Sequence, residues 1–334
     1  MRSSQKISAF TLVLTMLAGS LTGCGGAATE VAPIRILQSA STNAVTQPAA
    51  TLAAPQPTAQ SGYPIPQTPQ PTGQPSQSPG NPDSTQPAAT GFQGQVAVIM
   101  IKEGGVLNVR QSPGTSSTIL ETLPAHSSGL TLTGKTSVVG SEKWVEINRL
   151  TGGTGWVSAI YLTEYRPSSA FCGDAQVTQM LDAFKTAILN KDGGQLSALV
   201  SPLHGLTVEY LRGGKTVTYT PDKTAWLFTS TYVMDWGRNP ASGKQVKGSF
   251  HEEVLPKLED VLSASYTPAC NNIQLGGASY KYKWPYEYGN INFYGLYRAG
   301  AAGKEQNWRT WLVGIEYVSG KPTLFSLVQL FWEP

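Results

Sequence analysis

Side chains that act as nucleophiles, bases or metal ligands are scarce in this chain, which has three cysteines and three histidines in 334 residues. Cys172 and Cys270 are candidate nucleophiles, and His204 or His251 would be the base that activates a thiol. Neither cysteine stands in a recognisable catalytic motif. Thiol chemistry at these positions therefore remains an alternative to a structural role.

The segment His251-Glu252-Glu253 begins like a helical zinc-binding motif, in which two histidines four residues apart face one side of a helix. Leu255 occupies the position of the second histidine. The helix dipole also favours acidic residues at a helix start, which explains Glu252 and Glu253 without a metal. The chain contains no glycine-rich phosphate loop and no nucleophile elbow. We therefore expect no metal, no cofactor and no catalytic residue.

Aromatic side chains alternate with other residues over a short stretch near the C-terminus. These are Tyr280, Tyr282, Trp284, Tyr286 and Tyr288. A two-residue period predicts that the rings share one face of a strand. That face would either stack on a sugar or peptide or pack in the core, and core packing is the interpretation that we favour.

The charge balance limits the class of partner. The formal net charge is +3, which divides into +1 for residues 1–94, zero for 95–164 and +2 for 165–334. No segment is basic enough to neutralise a row of phosphates. Nucleic acid is therefore excluded as an expected partner.

The first residues carry an export signal. Arg2 and Lys6 precede an apolar stretch at 7–17, which is too short to span a bilayer. The following Leu21-Thr22-Gly23-Cys24 resembles the lipobox of bacterial lipoproteins. The resemblance implies that residues 1–23 are a signal peptide and that Cys24 becomes the acylated first residue, carrying palmitate or a similar chain. We therefore expect the protein on the extracytoplasmic face of the cell membrane, held by a lipid anchor.

If Cys24 is lipidated, Cys172 and Cys270 remain as an even pair in an exported protein. Such a pair favours a disulfide, since the compartment is oxidising.

Residues 24–93 have the composition of a tether. From Pro33 to Gly91 the chain contains 12 of its 23 prolines, interleaved with Gln, Ser, Thr, Ala and Gly. Such a segment buries too little apolar surface to offset the entropy of ordering. It is predicted to be a disordered linker that holds the folded part away from the membrane.

Residues 94–165 contain several short strand patterns separated by turns, which is typical of a small antiparallel barrel. The ordered segments are Leu107-Asn108-Val109-Arg110, Ile119-Leu120, Trp144-Val145-Glu146-Ile147 and Gly155-Trp156-Val157 followed by Ser158 to Leu162. This order resembles the bacterial SH3 domain, a cell-envelope relative of eukaryotic SH3 barrels. The resemblance implies an all-β SH3-like barrel.

Members of that family bind ligands rather than catalyse reactions, and they often recognise peptidoglycan through its peptide stems or cross-bridges. The resemblance implies Trp144, Trp156 and Tyr161 as ligand-binding residues, since aromatic faces bury large areas. Core packing is the competing interpretation for Trp156. Asn108 and Arg110 match family positions that more often brace the barrel.

Residues 166–334 predict an α+β domain in which helices pack on an antiparallel sheet. The helical patterns lie at 174–191, 196–200 and 249–262, and the strand patterns at 206–210, 216–220, 291–297, 308–318 and 322–332. His204 lies between two of these elements, as a pocket residue or as a satisfied turn residue. The order of elements weakly resembles the fold of nuclear transport factor 2, whose relatives include enzymes and binding modules.

The sequence thus predicts a multidomain, non-enzymatic, lipid-anchored envelope protein whose SH3-like domain binds peptidoglycan or a partner peptide. Two alternatives remain open. One is an envelope hydrolase that acts on cell-wall material through its C-terminal domain, and the other is a solute-binding or sensory lipoprotein.

Overall fold

The predicted boundary between the tether and the barrel lies at residue 94. The computed structural model describes residues 91–334, so the predicted signal peptide, Cys24 and the tether up to residue 90 lie outside the described residues. Phe92 is buried against the barrel core, two residues before that boundary. Residues 91–334 fall within one compact unit.

The barrel contains seven short strands: β1 (Val96–Val98), β2 (Val106–Arg110), β3 (Ile119–Pro124), β4 (Leu132–Val139), β5 (Glu142–Asn148), β6 (Thr154–Ser158) and β7 (Leu162–Glu164). The strands β2 to β6 form an antiparallel sheet in the order β3-β2-β6-β5-β4, and β1 pairs with β7. A single 3₁₀ turn, Ala159–Tyr161, joins β6 to β7. The predicted all-β barrel is therefore present.

Strand alternation separates the barrel core from its outer face. Val145 and Ile147 on β5 and Val157 on β6 are fully buried together with Val109. Gly155 allows the close approach of β6 to β2, because a Cβ at this position would lie 2.5 Å from Cγ1 of Val109. Neighbouring residues such as Asn108 and Trp144 face the other way and line the site described below.

The C-terminal region contains five α-helices: α1 (Ser168–Cys172), α2 (Ala175–Asn190), α3 (Gly193–Leu199), α4 (Pro221–Thr224) and α5 (Leu255–Leu262). Asp174 caps α2 by accepting a hydrogen bond from the Gln176 amide, and Lys191 ends it in the left-handed conformation. A π-helical turn, Phe250–Val254, leads into α5. The helices predicted at 174–191, 196–200 and 249–262 are thus confirmed, with small shifts of their ends.

The sheet of this region has six strands: β8 (Leu206–Glu209), β9 (Thr216–Tyr219), β12 (Thr267–Cys270), β13 (Asn292–Arg298), β14 (Arg309–Val318) and β15 (Lys321–Phe331). Their order is β12-β13-β14-β15-β8-β9, and a separate hairpin is formed by β10 (Met234–Arg238) and β11 (Gln245–Gly248). The prediction of an antiparallel sheet needs correction, because β8 runs parallel to β15. These two strands are far apart in the chain, so no tight turn forces them to be antiparallel.

Both faces of β14 and β15 are covered, which explains their nearly continuous burial. Trp311 and Val313 face the helices, whereas Leu312 belongs to a cluster on the opposite side. Tyr280, Tyr282 and Trp284 pack on that second cluster. The aromatic stretch is not a strand, so the predicted strand is wrong there. The favoured packing role is confirmed for Tyr280, Tyr282 and Trp284, whereas Tyr286 is 39% exposed.

The predicted pairing of Cys172 with Cys270 is present as a disulfide that joins the end of α1 to β12. Its two cysteines are 98 residues apart in sequence, so the bond closes a long loop. With both sulfurs bonded to each other, neither cysteine is a free nucleophile.

The barrel packs against the C-terminal region through buried polar contacts. The carboxylate of Glu164, which is 2% exposed, accepts hydrogen bonds from the amides of Gln93 and Gly320 at 2.7 and 3.0 Å. The Asn290 side chain donates to the carbonyl oxygen of Val98 at 2.8 Å. Because these partners lie on both sides of the junction, the two parts hold each other in place.

Among residues 91–334, no helix has both the length and the apolar character needed to cross a membrane.

Candidate functional site

A groove of about 230 Å³ lies on the outer face of the barrel. We call it the barrel groove, and its lining includes Asn108, Arg110, Glu142, Trp144, Ser158 and Tyr161. These residues come from β2, from neighbouring positions on β5 and β6, and from the 3₁₀ turn. The groove therefore depends on the pairing of three strands rather than on one continuous segment.

The two-residue period of β5 directs Glu142 and Trp144 to the groove, because Val145 and Ile147 occupy the core face. Ser158 lies directly opposite Trp144 in the register of β5 and β6. Its hydroxyl donates a hydrogen bond to the Glu142 carboxylate at 3.3 Å. Cross-strand pairing thus orients the acidic group at the groove.

Two of the three predicted aromatic residues line the groove. Trp144 is 2% exposed, and its indole nitrogen is buried without a hydrogen-bond partner among the described residues. Tyr161 is half-buried and lines the same groove. Because Trp144 is almost fully enclosed, it forms the floor, whereas Tyr161 has ring surface available to a ligand.

Trp156 is placed differently. It is half-buried on β6, where it pairs across the sheet with Glu146 on one side and Arg110 on the other. It is not part of the groove lining, although it shares the outer face of β6 with Ser158. Neither core packing nor direct lining of the groove describes this position.

Opposite charges flank the groove. Arg110 donates through Nη1 to the carbonyl oxygen of Ser117 at 2.6 Å, which positions the guanidinium. The Glu142 carboxylate accepts from Ser158 and has further oxygen lone pairs available for a ligand. The groove therefore offers an acceptor for a cation and a donor for an anion beside an aromatic surface.

Glu146, also on the outer face of β5, is engaged within the barrel. Its carboxylate accepts from the hydroxyl groups of Thr133 at 2.7 Å and Thr154 at 3.2 Å, and it forms an ion pair with Lys135 at 3.0 Å. Desolvation acts to raise the pKa of Glu146, but these contacts outweigh it and lower the pKa below its ordinary value. Glu146 is thus an ionised structural group.

His204, for which the sequence predicts a pocket or a turn role, has a hydrogen-bond partner for each of its two ring nitrogens. Nδ1 of His204 lies 2.8 Å from the Glu316 carboxylate, and Nε2 lies 3.0 Å from the carbonyl oxygen of Ile160. His251 is exposed at the start of the π-helical turn. Within residues 91–334, no group of three or more His, Cys, Asp or Glu side chains is arranged to hold a metal ion.

Sequence reasoning missed Glu142 and Ser158 as groove residues. The alternation that makes Val145 a core residue also places Glu142 beside Trp144, so the signal for Glu142 was available. Ser158 required the β5–β6 register, which depends on the fold. Arg110 was assigned a bracing role, and its contact with Ser117 shows that it has one in addition to its place in the groove.

The comparison with protein families gives a match within the barrel. Residues 105–163 match the family described as the bacterial SH3 domain. The match extends from the start of β2 into β7, and so it includes the strands that form the groove. No curated protein and no solved structure matches the chain.

Proposed function

We propose that the bacterial SH3 domain at residues 105–163 binds a short peptide through the barrel groove, as part of a non-enzymatic protein held to the cell envelope by a lipid anchor. The observation that carries the proposal is the pair of opposite charges, Glu142 and Arg110, beside Tyr161. A ligand with an amino group and a carboxylate suits this arrangement. Peptidoglycan stem peptides are of this class, since they carry both groups.

Three features support a peptide rather than a polyanion or an apolar ligand. The barrel segment 95–164 has no net charge, so it does not favour a polymer of one sign. The groove volume of about 230 Å³ suits a few atoms of a side chain or a chain end rather than a whole sugar strand. The enclosed Trp144 adds an apolar floor on which such a group is desolvated.

Binding is tested by sedimentation with insoluble peptidoglycan. The protein is the mature chain with Cys24→Ser, which keeps it soluble, and the variants are Glu142→Gln and Tyr161→Ala. We expect at least tenfold weaker binding for Glu142→Gln, because an ionic hydrogen bond contributes about 1.5–3 kcal/mol. Glu103→Gln is the matched control, since Glu103 is exposed, lies between the barrel strands β1 and β2 and does not line the groove.

Equal binding of Glu142→Gln and Glu103→Gln would refute the role of the groove. Thermal unfolding of each variant separates loss of binding from loss of the fold. Release of soluble muropeptides by the unmodified chain in the same incubation would instead favour a hydrolase. Binding of a soluble peptide from a partner protein, with no sedimentation, would favour partner recognition over cell-wall recognition.

The lipid anchor is a separate part of the proposal and concerns Cys24, which lies outside the described residues. Cells that express the unmodified chain should incorporate labelled palmitate into it, and Cys24→Ser should abolish the label. Cys172 and Cys270 remain in Cys24→Ser, and we expect no label on them because their sulfurs are bonded to each other in a disulfide. Label that persists in Cys24→Ser would contradict lipidation at this position.

A further inference from the structure

A second cavity lies in the C-terminal region, separate from the barrel groove, with a volume of about 500 Å³. We call it the α4 cavity, and its lining includes Val217, Tyr219, Lys223, Trp226, Leu227 and Met234. These residues come from β9, from α4 and the turn that follows it, and from the start of β10. The volume falls in the range of small-molecule sites.

The walls of the cavity are fixed by close contacts behind them. The Ser197 hydroxyl donates to the carbonyl oxygen of Pro221 at 2.7 Å, which holds the first residue of α4 against α3. At the start of α3, a Cβ on Gly193 would lie 2.0 Å from the carbonyl oxygen of Ala225. These contacts hold α4 and the start of the following turn, which carries Trp226 and Leu227, against α3.

The interior of the cavity is apolar. Leu227 and Phe250 are 3% and 2% exposed, and Val217 and Met234 are half-buried beside them. The ring of Phe250 meets that of Tyr219 edge to face at 6.0 Å between centroids. A ligand body that enters here must therefore be hydrocarbon or aromatic, since a strongly solvated group would lose its water.

Two large aromatic side chains at the cavity are unusually exposed. Trp226 is 69% exposed and Tyr232 is 74% exposed, whereas Tyr286, the other exposed aromatic residue of the described part, is 39% exposed. Large exposed rings beside an apolar cavity are typical of surfaces that become covered on binding. They are also flat enough to close over a small ligand.

The polar groups of the cavity define the head of the ligand. Tyr219 is 8% exposed, and its hydroxyl is buried without a hydrogen-bond partner among the described residues. Burial raises the pKa of Tyr219 to about 12, so the phenol is neutral and can donate its proton to an acceptor. Lys223 is exposed and provides a positive charge at the solvent side. A donor and a cation together favour a ligand oxygen that is anionic.

We propose that the α4 cavity binds a small monocarboxylate with an acyl or aryl body. The body fills the space between Leu227 and Phe250, and Trp226 covers it from the solvent side. The carboxylate accepts a hydrogen bond from the Tyr219 hydroxyl and pairs with the Lys223 ammonium group. The buried apolar walls at Leu227 and Phe250 favour an acyl or aryl body over a sugar, and the cavity is too small for a folded partner.

The test uses the full mature chain with Cys24→Ser and sodium dodecanoate as the probe, with binding measured by calorimetry and by tryptophan fluorescence. We expect saturable binding of one dodecanoate per chain, and a fluorescence change that Trp226→Phe removes. Tyr219→Phe and Lys223→Gln should each weaken binding by about fivefold to tenfold. Dodecanol and dodecylamine, which have the same chain with neutral and cationic heads, should bind at least fivefold more weakly.

The matched controls are Tyr297→Phe and Lys321→Gln, which remove the same groups from β13 and β15 and should leave dodecanoate binding unchanged. Lys223→Gln keeps the test valid even if Tyr219→Phe alters the fold, because Lys223 is exposed. The proposal is overturned by no saturable binding, by equal affinity for the three head groups, or by equal effects of cavity and control variants. It is also overturned if sedimentation velocity shows a dimer that Trp226→Ala dissociates, since a second copy would then cover these rings.

Discussion

His204 is predicted to make the stability of the chain depend on pH in an unusual direction. Its side chain is 2% exposed and that of Glu316 is 0% exposed, with 2.8 Å between Nδ1 and the carboxylate. The other ring nitrogen, Nε2, faces the carbonyl oxygen of Ile160 at 3.0 Å. An ionised Glu316 carboxylate and a carbonyl oxygen both accept, so both ring nitrogens donate when Glu316 is ionised, and His204 is then the protonated imidazolium.

The sign follows from the direction of the pKa shift. Burial by itself lowers the pKa of His204, but the charge and hydrogen bond of Glu316 and the contact with Ile160 outweigh it and raise the pKa above the ordinary value. A raised pKa in the folded state means that the folded protein binds the proton more tightly than the unfolded chain. The contribution of His204 is therefore complete below about pH 6.5 and is lost as the pH rises through the folded-state pKa.

The size of the effect is set by the burial of the pair. Replacing His204 with alanine leaves the Glu316 carboxylate buried without its partner, which costs about 3–5 kcal/mol in comparable cases. The double variant His204→Gln, Glu316→Gln removes both charges together and should cost much less, since neutral amides retain hydrogen bonding. Ile160 belongs to the barrel, so the loss also loosens the junction between the barrel and the C-terminal region.

The assay is urea unfolding at pH 6, 7.5 and 9, with the double variant compared with the unmodified chain at each pH. The advantage of the unmodified chain should shrink steadily as the pH rises, and all other titrating groups cancel in the difference. His251→Gln is the control, since it removes an exposed imidazole that is not part of the His204–Glu316 pair. Parallel pH profiles for the unmodified chain and the double variant would refute a protonated His204.

Three further predictions concern stability. Gly155→Ala should lower the unfolding free energy by about 1–3 kcal/mol, because its Cβ would stand 2.5 Å from Cγ1 of Val109. The control in thermal unfolding is Gly173→Ala, whose added Cβ would have its nearest contact at 3.6 Å. Equal melting temperatures of the two variants would contradict the packing argument. The double variant Cys172→Ser, Cys270→Ser should lose up to about 4.7 kcal/mol of unfolding free energy, since the disulfide spans 98 residues. Labelling of either cysteine by a thiol probe in the unreduced chain would contradict the presence of the bond. Tyr219→Phe should leave the unfolding free energy unchanged or raise it by about 1–3 kcal/mol, because it removes a buried hydroxyl that has no partner in the described part of the chain. A clear loss of stability in urea would indicate a partner for that hydroxyl.

Local patterns predicted much of the C-terminal region. The apolar spacing of 174–191 and the cap at Asp174 correspond to α2, and the turn at 212–214 correctly indicated the β8–β9 hairpin. These elements depend on contacts between residues that are close in the chain, so the pattern contains the necessary information. The aromatic alternation at 280–288 wrongly predicts a strand. A two-residue period is also a local pattern, and it does not show whether a neighbouring strand is available for pairing.

The barrel groove was only partly predictable. Residue type pointed to Trp144 and Tyr161, and both line the groove. Trp156 carries the same signal but lies at a different place on the outer face, because its neighbours are set by the pairing of β6 with β2 and β5. Aromatic character alone does not distinguish these positions.

The sequence by itself predicts an export signal and a lipid anchor, and it contains the charge-poor tether composition, the barrel pattern and the even pair of cysteines, because each is a property of neighbouring residues or of composition. Only the tertiary structure decided the parallel pairing of β8 with β15, the ion pair of His204 with Glu316 and the enclosure of the α4 cavity. Each of these joins segments that are distant in the chain. Their energies depend on burial and on the geometry of the assembled fold, which no local pattern contains.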